Sequence, residues 1–192
     1  MLVVAGVAAS GKSTLAAALA SASGATHLSS DVVRKSMLDL APTDRAPASA
    51  YEPAVSEATY AELGRRAAGA GAVVVDATFR RRRERDAFTT ELGAAANGAV
   101  FVECRAPARV LEARALERAS DPARESDATA DVVRGQLHDF EPLDELVAGA
   151  HVIVGSDRPI VPMVADVADA LDRRLAPPDP CFPPTASAAL CR

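Results

Sequence analysis

Residues 6 to 13 read GVAASGKS: a glycine, four residues, then Gly-Lys-Ser. That spacing confines the chain more than any other feature in it. Gly6 and Gly11 let successive backbone N–H groups turn inward around phosphate oxygens, and a helix starting at Lys12 aims its N-terminus at the same point. Lys12 then reaches the β- and γ-phosphates, and the Ser13 hydroxyl can hold Mg²⁺. The flanks agree. LVVA, residues 2–5, is an apolar run closed by Gly6 and predicts a buried strand, whereas Lys12–Ala22 is Ala/Leu-rich and predicts a helix ended near Gly24. A strand, a phosphate loop and a helix in that order make a nucleoside triphosphate the expected ligand. Gly6, Ala8, Ala9, Ser10, Gly11, Lys12 and Ser13 are its expected contacts.

The strand–helix alternation continues downstream. Thr26–Ser29 predicts a second strand, and residues 41–53, with three prolines, a loop. Ala54–Ala68 predicts a helix, with Gly69 and Gly71 placed to end it. AVVVD, residues 72–76, is a β-branched run closing on an acid and the clearest buried strand. Next come a helix over Arg83–Ala96, a strand over Ala99–Cys104 and a helix over Pro107–Ala119 with proline in its first turn. A polar break at 120–128 precedes a helix whose apolar face is Val133, Leu137 and Phe140. His151–Val154 reads as the last strand and Pro162–Leu175 as the last helix. Such alternation implies a mostly parallel sheet covered on both faces. The chain of 192 residues reads as one domain over 1–175 with a tail, 176–192, too Pro-rich for regular structure.

Composition excludes some classes. No apolar run is long enough to span a bilayer, so no membrane partner is expected. The opening MLVVAG has neither the basic lead nor the cleavage region of a signal peptide. Cys104, Cys181 and Cys191 lie too far apart for a metal-ligand spacing, so free thiols and a cytoplasmic location are expected. A net charge of −5 argues against a surface that tracks long nucleic acid. It permits capture of a single nucleic-acid end.

Several residues carry chemistry or its semblance. In HLSSDVVRKSMLDL, residues 27–40, Asp31 and Arg34 share a helix face. Asp31 beside Ser30 is either a helix cap or an acceptor-orienting acid. Asp76 ends the most buried strand, where open parallel sheets bind ligands, so it serves metal or substrate. Arg114 and Arg118 lie four apart on one helix face before the polar break, where a hinged lid could deliver an arginine to a transferring phosphoryl group; Arg124 is a third candidate. Arg80 to Arg83 and Arg85 form a charge run at a helix start, opposing the macrodipole. An anionic substrate group would offset that repulsion, with Arg80 and Arg81 as its contacts, but a solvated face is the simpler reading. His27, His138 and His151 form no ligand set. Tyr51 and Tyr60 flank a loop that could close over an acceptor.

Together, GVAASGKST, SSDVVRKSM, VVVDATFRRRRERDAF and LEARALERASDPARESDA resemble the small P-loop kinases of the polynucleotide kinase, gluconate kinase and zeta-toxin type, closest to their AAA-type kinase domains. The likeness covers about residues 1–172. It implies an α/β fold, a P-loop NTPase three-layer sandwich with a five-stranded parallel sheet, the phosphate-binding strand at its centre, and a helical lid at about 114–130. It implies that Thr14 contacts the α-phosphate, that Asp31 and Arg34 hold the acceptor hydroxyl, and that Asp76 lies near metal and acceptor. The expected activity is ATP- and Mg²⁺-dependent transfer of the γ-phosphate to a hydroxyl. Lys12, Asp31 and a lid arginine (Arg114 or Arg118) act as catalytic groups, Arg34, Asp76, Arg80 and Arg81 contact substrate, and Ser13 and Asp76 hold the metal. The acceptor is a small molecule or, alternatively, the 5′-hydroxyl end of a polynucleotide. The competing class is a nucleotide-dependent binding module that transfers nothing.

Overall fold

The structure is a computed structural model describing residues 1–119 and 129–175. The expected lid segment 120–128 with Arg124, the side chain of Arg118, and the tail from 176 with Cys181 and Cys191 lie outside the described residues.

Five strands are described: β1 (Leu2–Ala5), β2 (Thr26–Ser29), β3 (Val73–Asp76), β4 (Val100–Arg105) and β5 (His151–Gly155). They form one parallel sheet in the order β2-β3-β1-β4-β5. The strand that feeds the phosphate loop is therefore central. Val4 is level with Asp76, Ala5 with Glu103, and Ser29 with Asp76. The carboxyl ends of β2, β3 and β1 thus finish side by side, and the residues leaving them converge on one rim of the sheet.

The described helices are α1 (Lys12–Ser23), α2 (Ser30–Met37), α3 (Pro53–Ala68), α4 (Arg82–Leu92), α5 (Ala108–Ala119), α6 (Ala130–His138) and α7 (Ile160–Leu175). Strand side chains alternate between faces, and both faces are covered. Val3, Val73, Val75 and Phe101 pack against Tyr60 and Leu63 of α3 and Phe88 and Leu92 of α4. Val4, Val74 and Val102 pack against Leu15 and Leu19 of α1 and Met163 and Val167 of α7. This is the three-layer sandwich expected from the sequence. Among the described residues no helix is long and apolar enough to cross a membrane.

Phe79 turns the chain out of β3. Its φ of 48° is left-handed, a conformation that costs a non-glycine residue about 1–2 kcal/mol. Its ring is fully buried between Tyr60, Phe88 and Phe101, with centroids 5.0, 5.1 and 5.6 Å away. Burying a phenylalanine contributes about 1.5–3 kcal/mol, enough to hold the turn. Tyr60 locks it further: its hydroxyl accepts the Phe79 N–H at 3.1 Å and lies 2.7 Å from the Thr78 hydroxyl. Tyr60 is thus a core residue rather than a loop flank. Burial pushes its phenol above the usual range.

Helices α3 and α4 touch through Gly64. A Cβ there would collide with the Phe88 carbonyl oxygen and lie 3.0 Å from the Glu91 Cβ. Gly64→Ala should therefore destabilise the fold by about 1–3 kcal/mol, despite a helix-propensity gain of up to about 1 kcal/mol. The urea midpoint should fall with an unchanged slope. An unchanged or raised midpoint would mean the two helices are not in contact there.

Some boundaries differ from expectation. The helix expected over 83–96 stops at Leu92, and Gly93–Gly98 continues as a 3₁₀ turn because Gly93 leaves the helical region at φ 60° and ψ −134°. The proline-rich stretch holds a 3₁₀ turn at Ala48–Tyr51. Proline 53 starts α3 at a position where its missing N–H costs nothing. α7 begins two residues early, with Pro162 inside its first turn. The face expected on α6 is narrower: Val133 is buried, Leu137 is exposed, and Phe140 lies past the helix end.

Candidate active site

The loop after β1 has the geometry that the glycine spacing implies. Gly6 has φ 144°, and a Cβ there would lie 2.7 Å from the Ser10 Oγ and 2.8 Å from the Cys104 carbonyl oxygen. Only glycine fits. Ala9 takes a left-handed φ of 61°, and Gly11, at φ 84°, caps α1. The first N–H groups of α1 have no partner within their helix and face the loop's concavity. The Ser10 hydroxyl is buried in the loop without a hydrogen-bond partner among the described residues.

A cleft of about 1110 Å³ opens at the carboxyl ends of the strands, lined by Ala8, Lys12 and Ser13 at one end and Ser29, Asp31 and Tyr51 at the other. Asp76 and Thr78 lie on its wall. Thr14 is exposed on α1 and does not line the cleft.

Asp76 is 3% exposed, and its Oδ1 has no hydrogen-bond partner among the described residues. Burial alone would raise its carboxyl. The His27 ring 3.8 Å away, the Lys12 charge and the Ser13 hydroxyl outweigh burial and hold it below the usual carboxylate range. A buried, ionised acid with an unused oxygen beside the phosphate loop fits a cation. No three His, Cys, Asp or Glu side chains converge among the described residues. A cation here would rest on Ser13 and Asp76, with phosphate oxygens and water completing its shell. His27, set aside in the sequence reading, therefore lines the cleft and touches its central acid.

Asp31 sits in the first turn of α2, but the N-cap is Ser29 and no side chain caps the helix. The Asp31 carboxylate instead accepts from the Lys35 ammonium at 3.0 Å and from the Tyr51 hydroxyl at 3.5 Å. Lys35 is 1% exposed and also donates to the Pro42 carbonyl at 2.8 Å, tying the proline-rich loop to the acid. Sequence reasoning passed over Lys35, although its i+4 spacing from Asp31 signals such a pair.

Arg34 lines the cleft but is buried. It donates to the Ala50 carbonyl at 2.5 Å and to the Ser56 hydroxyl at 3.4 Å, and its guanidinium stands 4.8 Å from the centre of the Tyr51 ring. It shapes the turn that carries Tyr51.

The arginine run points elsewhere than expected. Arg80 and Arg81 both pair with Asp139, at 3.3 and 2.7 Å, and only Arg80 lines the cleft. Arg85 is buried and donates to the Phe79 and Pro142 carbonyls at 2.8 and 2.9 Å and to Glu145. Burial would raise the Glu145 carboxyl, but Arg85 holds it below its usual range. The run bolts the segment after α6 to the start of α4. Its partners in that segment lie 56 to 60 residues away, beyond local pattern reading.

Arg114 does not line the cleft. It donates to the Ser156 carbonyl at 2.8 Å and reaches the Ala9 carbonyl at 3.5 Å, bracing the phosphate loop against the turn after β5.

The AAA_33 family model, described as an AAA domain, matches residues 1–143. A comparison with curated proteins finds no match. Among solved structures the chain is similar to a gluconokinase from Sinorhizobium meliloti, at 24% identity over 90% of this chain and 91% of that one, with a TM-score of 0.65. It is similar to the Mycobacterium tuberculosis APS kinase solved with AMPPNP and APS, at 20% identity over 89% and 96% of the two chains, with a TM-score of 0.63. A shikimate kinase from Acinetobacter baumannii, solved with shikimate, aligns at 13% identity over 91% and 92%, with a TM-score of 0.58. These likenesses are of fold, and each is to a protein named a kinase. The chain belongs to the AAA_33 family of AAA domains and has the fold of P-loop kinases.

Proposed function

We propose that the chain transfers the γ-phosphate of ATP to a hydroxyl of a small molecule. The observation that carries the proposal is one cleft with the phosphate loop at one end and Asp31 and Tyr51, tied to Lys35, at the other. Its volume of about 1110 Å³ exceeds the upper end of ordinary ligand pockets, about 1,000 Å³, leaving room for two substrates. A module that only switched on nucleotide would need no acid placed there.

Phosphoryl transfer demands positioning and charge stabilisation more than covalent chemistry. Lys12 and the loop amides hold the donor phosphates. Asp31 accepts a hydrogen bond from the acceptor hydroxyl and takes its proton as the oxygen attacks. Ser13 and Asp76 would hold Mg²⁺, which when bound would supply charge neutralisation at the phosphate oxygens. A cytoplasmic location, where ATP is supplied, goes with this reading.

The acceptor half favours an uncharged polyhydroxyl compound. Arg34 is spent on Ala50, Arg80 on Asp139, and Arg66 on Glu62 and Ser36. A polyanionic acceptor would have to break such pairs. The test is acceptor-stimulated ADP release, screened over neutral polyols, sugar acids and a 5′-hydroxyl oligonucleotide. Stimulation by a polyol is expected. Stimulation by the oligonucleotide alone would replace the small-molecule reading with the polynucleotide one.

Arg114 and Arg118 should separate in kinetics. Losing Arg114 removes a charged brace on two carbonyls, an interaction of about 1.5–3 kcal/mol, so Arg114→Ala should raise the ATP KM about tenfold or more. Arg118→Ala should lower kcat with the ATP KM within a few-fold, if Arg118 is the arginine offered to the transferring group. Equal KM effects in both variants would remove that division of roles.

A further inference from the structure

We infer that Gln136 reads the terminal phosphate of the nucleotide and so selects a triphosphate over a diphosphate. The inference rests on the nucleotide-binding part of the kinase reading and is independent of the acceptor.

The Ala8 N–H, inside the phosphate loop, donates to the Gln136 Oε1 at 2.6 Å across 128 residues of sequence. An N–H can be met only by an acceptor, so the carboxamide oxygen faces the loop and the two N–H donors of the amide face the other way. Gln136 lines the cleft together with Lys12, Ser13 and Asp139. It therefore stands in the cleft wall beside the phosphate loop.

Its helix is held at both ends. Thr129 caps α6 by accepting the Val132 N–H at 3.3 Å, and Val133 packs against Val7, Ala8 and Ala9 of the loop and Leu111 and Ala115 of α5. At the other end Asp139 is clasped by Arg80 and Arg81. The Glu141 N–H donates to the Arg80 carbonyl at 2.8 Å, and the Arg82 N–H donates to the Glu141 carboxylate at 2.5 Å. The arginine run thus fixes the place of Gln136.

A phosphate oxygen approaching the Ala8 N–H competes with the carboxamide oxygen for the same donor and is repelled by it. With the helix clamped, the side chain responds by rotating its terminal torsion, which is soft. Rotation withdraws Oε1 and presents Nε2–H donors to the anion. We place the γ-phosphate, and not the β-phosphate, at the Ala8 N–H, so a diphosphate leaves the original contact in place. The carboxamide thus rewards the γ-phosphate specifically, by about tenfold or more in relative affinity for one hydrogen bond to a charged group.

The test compares the Kd values of ADP and a non-hydrolysable ATP analogue, both with Mg²⁺, by calorimetry on the wild-type chain, Gln136→Leu and Gln136→Glu. ADP affinity should stay within about twofold in all three. The analogue should bind about tenfold more weakly to Gln136→Leu, which has no donor, and more weakly still to Gln136→Glu, whose carboxylate holds the Ala8 N–H and repels the phosphate. Equal weakening of both nucleotides, or no weakening of the analogue, would overturn the inference. Should Gln136→Leu fail to fold, the near-isosteric Gln136→Glu decides alone. A chain that shows the expected selectivity but phosphorylates no acceptor would sink the kinase reading and leave the Gln136 assignment standing.

Discussion

Lys12→Ala should reduce nucleotide turnover to the no-enzyme background while leaving a folded chain. Lys12 opens α1, where the helix N-terminus and the loop amides already supply partial positive charge. Those dipoles can seat a phosphate, but they carry no full charge to place against the β/γ-bridging region, where charge grows as the terminal phosphoryl leaves. Among the described residues, Arg80 in the cleft is held by Asp139 and Arg34 by Ala50, and Arg114 lies outside the cleft. The same variant has a second signature. The Lys12 charge helps hold the Asp76 carboxyl below the usual range against the opposing effect of burial. A carboxyl depressed in the folded state contributes stability above its unfolded pKa, about 3.9 for Asp, and loses it as pH falls through the folded value. With Lys12 gone the folded value rises towards the unfolded one, so Asp76 contributes less stability at neutral pH and the loss along the acid limb of the stability curve should be smaller than in the wild-type chain. Unchanged turnover would remove the phosphate-loop assignment. An unchanged acid limb would separate Lys12 from Asp76.

Asp31→Asn should lower the rate of phosphoryl transfer about 10²–10⁴-fold with ATP affinity unchanged. Asparagine keeps the shape and the contact with the Tyr51 hydroxyl but cannot take a proton. It also breaks the ion pair with the nearly buried Lys35. Asp31 is partly exposed, so the stability cost falls between that of a surface pair and that of a fully buried one, about 1–3 kcal/mol. The melting temperature should drop by several degrees. Lys35→Met separates the two effects. It removes the same pair, costs comparable stability and keeps a carboxylate at position 31, so its rate should fall about tenfold or less. Equal rate losses in the two variants would assign Asp31 a structural role. A fully active Asp31→Asn enzyme would move the acceptor-orienting group to Asp76.

The loop and the sheet were readable because their causes are local. Gly6 must be glycine for reasons that lie within four residues and one neighbouring strand, and β3 is a β-branched run whose burial on both faces needs no partner to be guessed. The central place of the phosphate-binding strand came from resemblance, and the full strand order was not legible, since nothing in a four-residue strand states its neighbour. What sequence reading missed depends on long-range pairing. Asp139 appears in a polar stretch with no periodicity, yet it takes up both arginines that were expected to meet substrate. Gln136 lies on a helix whose expected apolar face drew attention to Leu137, which is exposed. Lys35 is the opposite case, since its spacing was visible and its burial was not. A lysine beside an arginine in a polar helix gives no sign that its ammonium will be 1% exposed.

ATP labelled in its γ-phosphate offers the most direct measurement on the central claim. The chain would be incubated with Mg²⁺ and the neutral polyol that best stimulates ADP release, and the label would be followed into products. Transfer to a hydroxyl places the label in an acid-stable phosphomonoester of the polyol, in step with ADP, and Asp31→Asn should form that product about 10²–10⁴-fold more slowly without raising free phosphate. If all of the label instead appears as inorganic phosphate, at one rate whatever acceptor is present, the chain hydrolyses nucleotide and transfers nothing, and the kinase assignment is contradicted.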